Sequence, residues 1–177
     1  MARPILAPIT ARLKRDQNGA TAIEFAMIGP ILIVIIFSLL ELSWLIIKML
    51  LLDNAVEVAA KQIYIGNVPD RAAFESLICD NLPLFNNCSE LVNIEAVEIA
   101  GFGDIPSSEP ECRDSGEDSF TPTATYTTGT SSAIVFLRVC VTAPLFTPGL
   151  GFGTALPKQP DGSFAIVSST VFMNEPF

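Results

Sequence analysis

The sequence predicts an α+β protein in which a long N-terminal helix, membrane-spanning in its first half, packs against a small antiparallel sheet domain that also holds a short helix. Three observations predict it. Residues 25–40 contain no charged side chain, three later stretches read as strands, and all four cysteines lie beyond the apolar run. Composition agrees, with 50% hydrophobic against 16% charged residues in a chain of 177, poor in charge for a soluble protein.

Charge divides the chain unevenly. The first 18 residues carry Arg3, Arg12, Lys14 and Arg15 against Asp16, a net of +3 that leaves −12 for the remainder of a chain whose total is −9. A net acidic body argues against nucleic acid, which needs a clustered basic surface. The chain has no histidine, which excludes every imidazole base, acid or metal ligand. Cys79, Cys88, Cys112 and Cys140 are spaced 9, 24 and 28 apart, with neither a CxxC pair nor the short paired spacings of a zinc site. They read as two disulfides, which need an oxidising compartment.

Residues 1–19 form a basic leader, 20–66 the long helix and 67–177 an extracytoplasmic domain. The apolar run from Phe25 reaches Lys48 if Glu41 is admitted, about 36 Å at roughly 1.5 Å per residue, against a bilayer core of about 30 Å. Glu41 is costly in lipid unless it lies near the far interface or faces a protein partner; Trp44 and Lys48 mark that interface, so the span is expected over Ala22 to about Trp44. The leader's positive charge puts the N-terminus in the cytoplasm and the cysteines outside. Gly29 and Pro30 are expected to kink or locally unwind the helix, because Pro30 cannot donate to the Ala26 carbonyl. Past the span, Leu50, Leu51, Leu52, Ala55, Val56, Val58, Ala59, Ala60 and Ile63 are interleaved with Asp53, Asn54, Glu57, Lys61 and Gln62 until Gly66 and Pro69, an amphipathic half that should lay its apolar stripe on the outer domain.

In that domain Asp70 caps a short helix running through Ile78 and ending before Pro83. Leu91–Ile99, Ala133–Thr142 and Phe164–Met173 are strands. Two long loops separate them: Gly101–Thr130 is rich in Ser, Thr, Pro and acids, and Pro144–Gly162 is rich in Pro and Gly. Four cysteines permit three pairings; the preferred one ties Cys112 to strand residue Cys140 and Cys79 to Cys88.

No catalytic residue can be named, since no nucleophile has a visible base. Gly101-Phe-Gly103-Asp104 and Gly149-Leu-Gly-Phe-Gly153 are loops and not phosphate cradles. Asn87-Cys88-Ser89 fits a glycosylation sequon, a short pattern that arises by chance. The acidic residues Glu109, Glu111, Asp114, Glu117 and Asp118 lack EF-hand spacing and read as a solvated loop. No metal, cofactor or small-molecule substrate is expected.

The segment Arg15 to Phe25 decides the reading of the N-terminus: a charged leader, Gly19, then an apolar run broken only by Glu24. Thr21-x-x-Glu24 fits a capping box, which leaves unexplained a carboxylate at the mouth of a membrane helix. Together with Gly29-Pro30, the helix running to Lys61 and the ending Phe172 to Phe177, this segment resembles the type IV pilin superfamily. Within it the chain is similar to the TadE-like proteins of the Tad (Flp) pilus system, a form of type IVb pilus machinery.

The resemblance covers residues 12–65 and the last six residues; elsewhere only the layout is shared. It implies a minor pilin or pseudopilin of the bacterial inner membrane, single-pass, with its C-terminal domain in the periplasm. It also implies a prepilin peptidase that cuts between Gly19 and Ala20, and other pilins or pseudopilins and the Tad assembly machinery as partners. The Ala20 amino group freed by the cut would be a cation for Glu24, of its own or a neighbouring subunit, to compensate; Glu24 and Phe25 are the implied assembly residues. Lys61 stands where the family often has arginine. The rival readings are an uncleaved bitopic scaffold and an anchored extracytoplasmic binding module.

Overall fold

A computed structural model describes residues 19–68, 70–107, 112 and 125–176. Residues 1–18 of the basic leader, Pro69, the acidic residues Glu109, Glu111, Asp114, Glu117 and Asp118, and Phe177 lie outside the described residues. Helix α1 (Gly19–Tyr64) is followed by α2 (Arg71–Asp80), the single turn α3 (Cys88–Leu91), β1 (Val92–Ile99), β2 (Ile134–Ala143) and β3 (Phe164–Met173), with 3-10 turns at Phe102–Asp104 and Gly151–Thr154. The fold class is the α+β arrangement expected from sequence.

α1 runs 46 residues without a break, and Pro30 lies inside it. The local unwinding expected at Gly29-Pro30 does not occur: proline removes one rung of the hydrogen-bond ladder, which a long helix absorbs while its neighbours stay paired. Thr21 sits within the helix and not ahead of it, so it is not the N-cap that a capping box requires.

Further along, Glu41, Leu45, Lys48, Leu52, Ala55, Val56, Ala59 and Ile63 are buried. Steps of three and four place them on one face. That stripe meets the inner face of the sheet, made by Val92, Ile94 and Ala96 of β1, Val135, Leu137, Val139 and Val141 of β2 and Ile166 of β3. Leu52 and Leu137 are fully buried, each contributing roughly 1.5–3 kcal/mol. Phe74 and Ile78 of α2 close one side of this core. Asp70 caps α2 as expected, accepting from the Ala73 N–H at 2.8 Å.

The sheet is an antiparallel meander in the order β1-β2-β3. Val92 pairs with Val141 and Ile99 with Ile134; Ala143 pairs with Phe164 and Ile134 with Met173. Its strands lie lengthwise along α1. At one end the Glu175 N–H donates to the Tyr64 carbonyl at 3.3 Å; at the other, the chain leaving Ala143 reaches back to Glu41, some six turns earlier in the helix. On the outer face Arg138 lies opposite Glu95, and its Nε donates to Glu95 Oε2 at 2.7 Å.

The strands begin within one residue of expectation, and β3 matches at both ends. Leu91 falls in α3 because Cys88 starts a helical turn there. Inside the Gly101–Thr130 loop the sequence reading missed a short edge segment: Ala96 N–H donates to the Thr125 carbonyl and Thr127 N–H to the Ala96 carbonyl, both at 2.9 Å. Both preferred disulfides form, Cys79–Cys88 with Cα atoms 5.6 Å apart and Cys112–Cys140 with 5.2 Å.

Candidate functional site

The residues singled out in the sequence cluster at the start of α1. Gly19, Ala20, Glu24 and Phe25 are all exposed. Ala20 and Glu24 are four apart, so they share a helix face. Nothing stands within 4 Å of a Cβ placed on Gly19. Phe25 is 71% exposed, and its ring lies back along the helix against Gly29, whose added Cβ would meet it at 3.4 Å. Met27, Ile28, Ile31, Leu32 and Ile33 are exposed as well. Among the described residues, cover from the sheet domain begins only at Val34 and Ser38. The first half of α1 is thus an apolar rod with one carboxylate near its tip, and it is long and apolar enough to cross a membrane.

The second carboxylate of the apolar run meets the opposite environment. Glu41 is 1% exposed. It accepts from the backbone N–H of Phe146 at 2.9 Å, from the N–H of Thr147 at 2.7 Å and from the Thr147 hydroxyl at 2.7 Å. A carboxylate only accepts hydrogen bonds, and three donors converge on it. One turn earlier, Ser38 donates to the Val34 carbonyl at 2.8 Å and accepts from the Phe152 N–H at 3.1 Å. The loop between β2 and β3 is therefore clasped to α1 through its own backbone.

Two glycines permit the clasp. Gly151 has φ +55° and lies against Ser38 Oγ, and Gly153 lies against the Thr147 carbonyl, so close in each case that a Cβ has no room. Trp44 packs on Phe146 with ring centroids 5.6 Å apart. Lys48 Nζ lies over the Trp44 ring at 5.5 Å and over Phe85 at 4.9 Å, within cation–π reach.

Sequence reasoning allowed Glu41 a protein partner but did not foresee the loop as that partner. The available signal was the pairing of a carboxylate in an apolar helix with a glycine-spaced apolar loop.

At the other end of the sheet an open cleft of about 470 Å³ is lined by Asp70, Arg71, Glu98, Tyr126 and Thr127–Thr130. Burial, reinforced by the charge of Asp70 and opposed by that of Arg71, pushes the Tyr126 phenol up to about 12.

Residues 19–61 match the family model of TadE-like proteins. No curated protein and no solved structure matches the chain. The matched stretch includes the exposed apolar rod and most of the stripe that carries the sheet, and it ends at Lys61; over that helix the chain is similar to TadE-like proteins.

Proposed function

We propose that the chain is a minor pilin or pseudopilin, held in the bacterial inner membrane by the first half of α1, with its N-terminus cytoplasmic and its disulfide-bonded domain periplasmic. It acts in assembly of a Tad-type pilus through helix packing and subunit contacts and catalyses no reaction. The observation that carries the reading is that the segment matching the TadE-like family presents Glu24 and Phe25 on a helix half that the described residues of its own domain leave bare. Such an apolar surface needs lipid or other helices around it. On this reading a prepilin peptidase cuts between Gly19 and Ala20, and the new amino group pairs with Glu24.

The test is the intact mass of the chain from membranes of a host with its prepilin peptidase. The expected mass is that of residues 20–177 with both disulfides closed. A chain that keeps residues 1–19 and purifies without other pilus components is the uncleaved scaffold instead.

A further inference from the structure

The geometry points to the loop 144–155 as a lipid-embedded wedge that inserts beside α1 at the outer boundary of the bilayer, so that the membrane, and not water, covers its tip. The inference rests on α1 being a membrane anchor, and it concerns a different part of the chain.

Depth is the first argument. From Ala20 to Ser38 the helix rises about 27 Å at roughly 1.5 Å per residue, and to Glu41 about 32 Å, against a hydrocarbon core of about 30 Å. The loop meets α1 at these two residues. On the side of α1 away from the loop, Leu39, Leu40, Ile46, Ile47 and Leu50 remain exposed, so the apolar surface continues past the docking point. A bilayer that covers those residues reaches the loop.

The loop's surface is the second argument. Phe146 is 67% exposed, Leu150 42% and Phe152 37%, three large apolar side chains within seven residues in a chain of net charge −9. Residues 144–160 contain no carboxylate, and their only charged side chain is Lys158, which suits contact with anionic headgroups.

The third argument is backbone satisfaction. Irregular backbone at membrane depth is tolerated only when its polar groups find partners inside the protein. Glu41 takes the N–H groups of Phe146 and Thr147, and Ser38 takes that of Phe152. Lys158 Nζ donates to the Pro148 carbonyl at 2.5 Å.

The experiment uses the full chain reconstituted in vesicles of phosphatidylethanolamine and phosphatidylglycerol, doped with lipid brominated either near the head or near the methyl end of the acyl chain. Trp44, the sole tryptophan, is replaced by Phe, and one tryptophan is introduced at a time: Phe146→Trp or Phe152→Trp in the loop, Ile33→Trp in the helix, and Phe102→Trp at the far end of the sheet. Closed disulfides by non-reducing mass certify each fold. The expected result is that both loop probes lose most of their emission to the head-end bromines and less to the methyl-end bromines, Ile33→Trp is quenched more by the methyl-end bromines, and Phe102→Trp is unquenched. A quenched helix probe with unquenched loop probes overturns the wedge, keeps the anchor and leaves the loop tip to a protein partner. If the helix probe is also unquenched, the anchor itself fails and the wedge with it.

Discussion

α1 places two glutamates in an apolar run, 17 positions apart, and the molecule treats them in opposite ways. Glu24 is exposed, with no cover from the described residues of its own domain; Glu41 is buried, with three donors supplied by a loop more than 100 residues away in sequence. Both residues look alike in a hydropathy plot. What separates them is whether the fold provides donors, and that divides the helix into a half completed within the monomer and a half that needs something else. Around Glu41 the chain is self-sufficient. Around Glu24 it is not, which is the condition expected of a surface meant for other helices.

The largest effect on the monomer is expected from Glu41→Ala. Removing the carboxylate strands two backbone donors, Phe146 N–H and Thr147 N–H, each at about 1–3 kcal/mol when buried without a partner; the Thr147 hydroxyl can turn elsewhere. The loop should detach from α1, with a loss of roughly 2–6 kcal/mol of docking free energy. Hydrogen exchange of those two amides in detergent-solubilised full chain measures it directly. Exchange rates equal to wild type would show that the loop is held by its side chains and that the two glutamates differ less than their surroundings suggest.

The part of this arrangement that was legible from sequence was the local part. Runs rich in Val, Ile and Phe between turn residues marked all three strands, and alternation marked β3 at both of its ends, because composition and alternation are short-range signals. Asp70 announced α2 through a cap that involves only residues 70–73. Both disulfides form in the pairing that the sequence preferred among three without deciding it. The docking of Phe146, Thr147 and Phe152 on Ser38 and Glu41 was not legible, since contacts across more than 100 residues leave no period, and glycines spaced for close approach look like glycines spaced for flexibility. The edge segment at Tyr126 was missed for a related reason: one bridge between a threonine-rich loop and Ala96 is too short to alternate.

A smaller effect, at the same clasp, is expected from Gly153→Ala. Its Cβ would collide with the backbone carbonyl of Thr147, and backbone cannot step aside as a side-chain tip can, so overpacking of about 1–3 kcal/mol is expected. Gly149→Ala is the matched control, with nothing within 4 Å of the added Cβ, and should change stability by less than about 0.5 kcal/mol. Limited proteolysis across residues 144–155 reads both. Equal cleavage of the two variants would mean that the glycines serve chain flexibility and not close approach.

The smallest effect on the monomer, and the sharpest test of the comparison, is Glu24→Ala. Glu24 is exposed, and among the described residues the loop between β2 and β3 first meets α1 at Val34 and Ser38, so the substitution should leave disulfides, membrane insertion and exchange of the Phe146 and Thr147 amides unchanged, within about 0.5 kcal/mol. On the proposed reading, the same substitution in an assembled bundle would remove the anion that compensates the amino terminus of Ala20, and breaking a buried pair by deleting one partner costs about 3–5 kcal/mol. The two numbers predict a protein at normal level that no longer co-purifies with partner pilins from crosslinked membranes, with pilus number falling in parallel. Glu24→Gln separates charge from hydrogen bonding: if compensation of the amino terminus is what matters, Gln fails as Ala does. Unchanged association with both variants would place Glu24 beside Glu41 as a residue whose role ends within its own chain, and the division of the helix into a finished and an unfinished half would no longer hold.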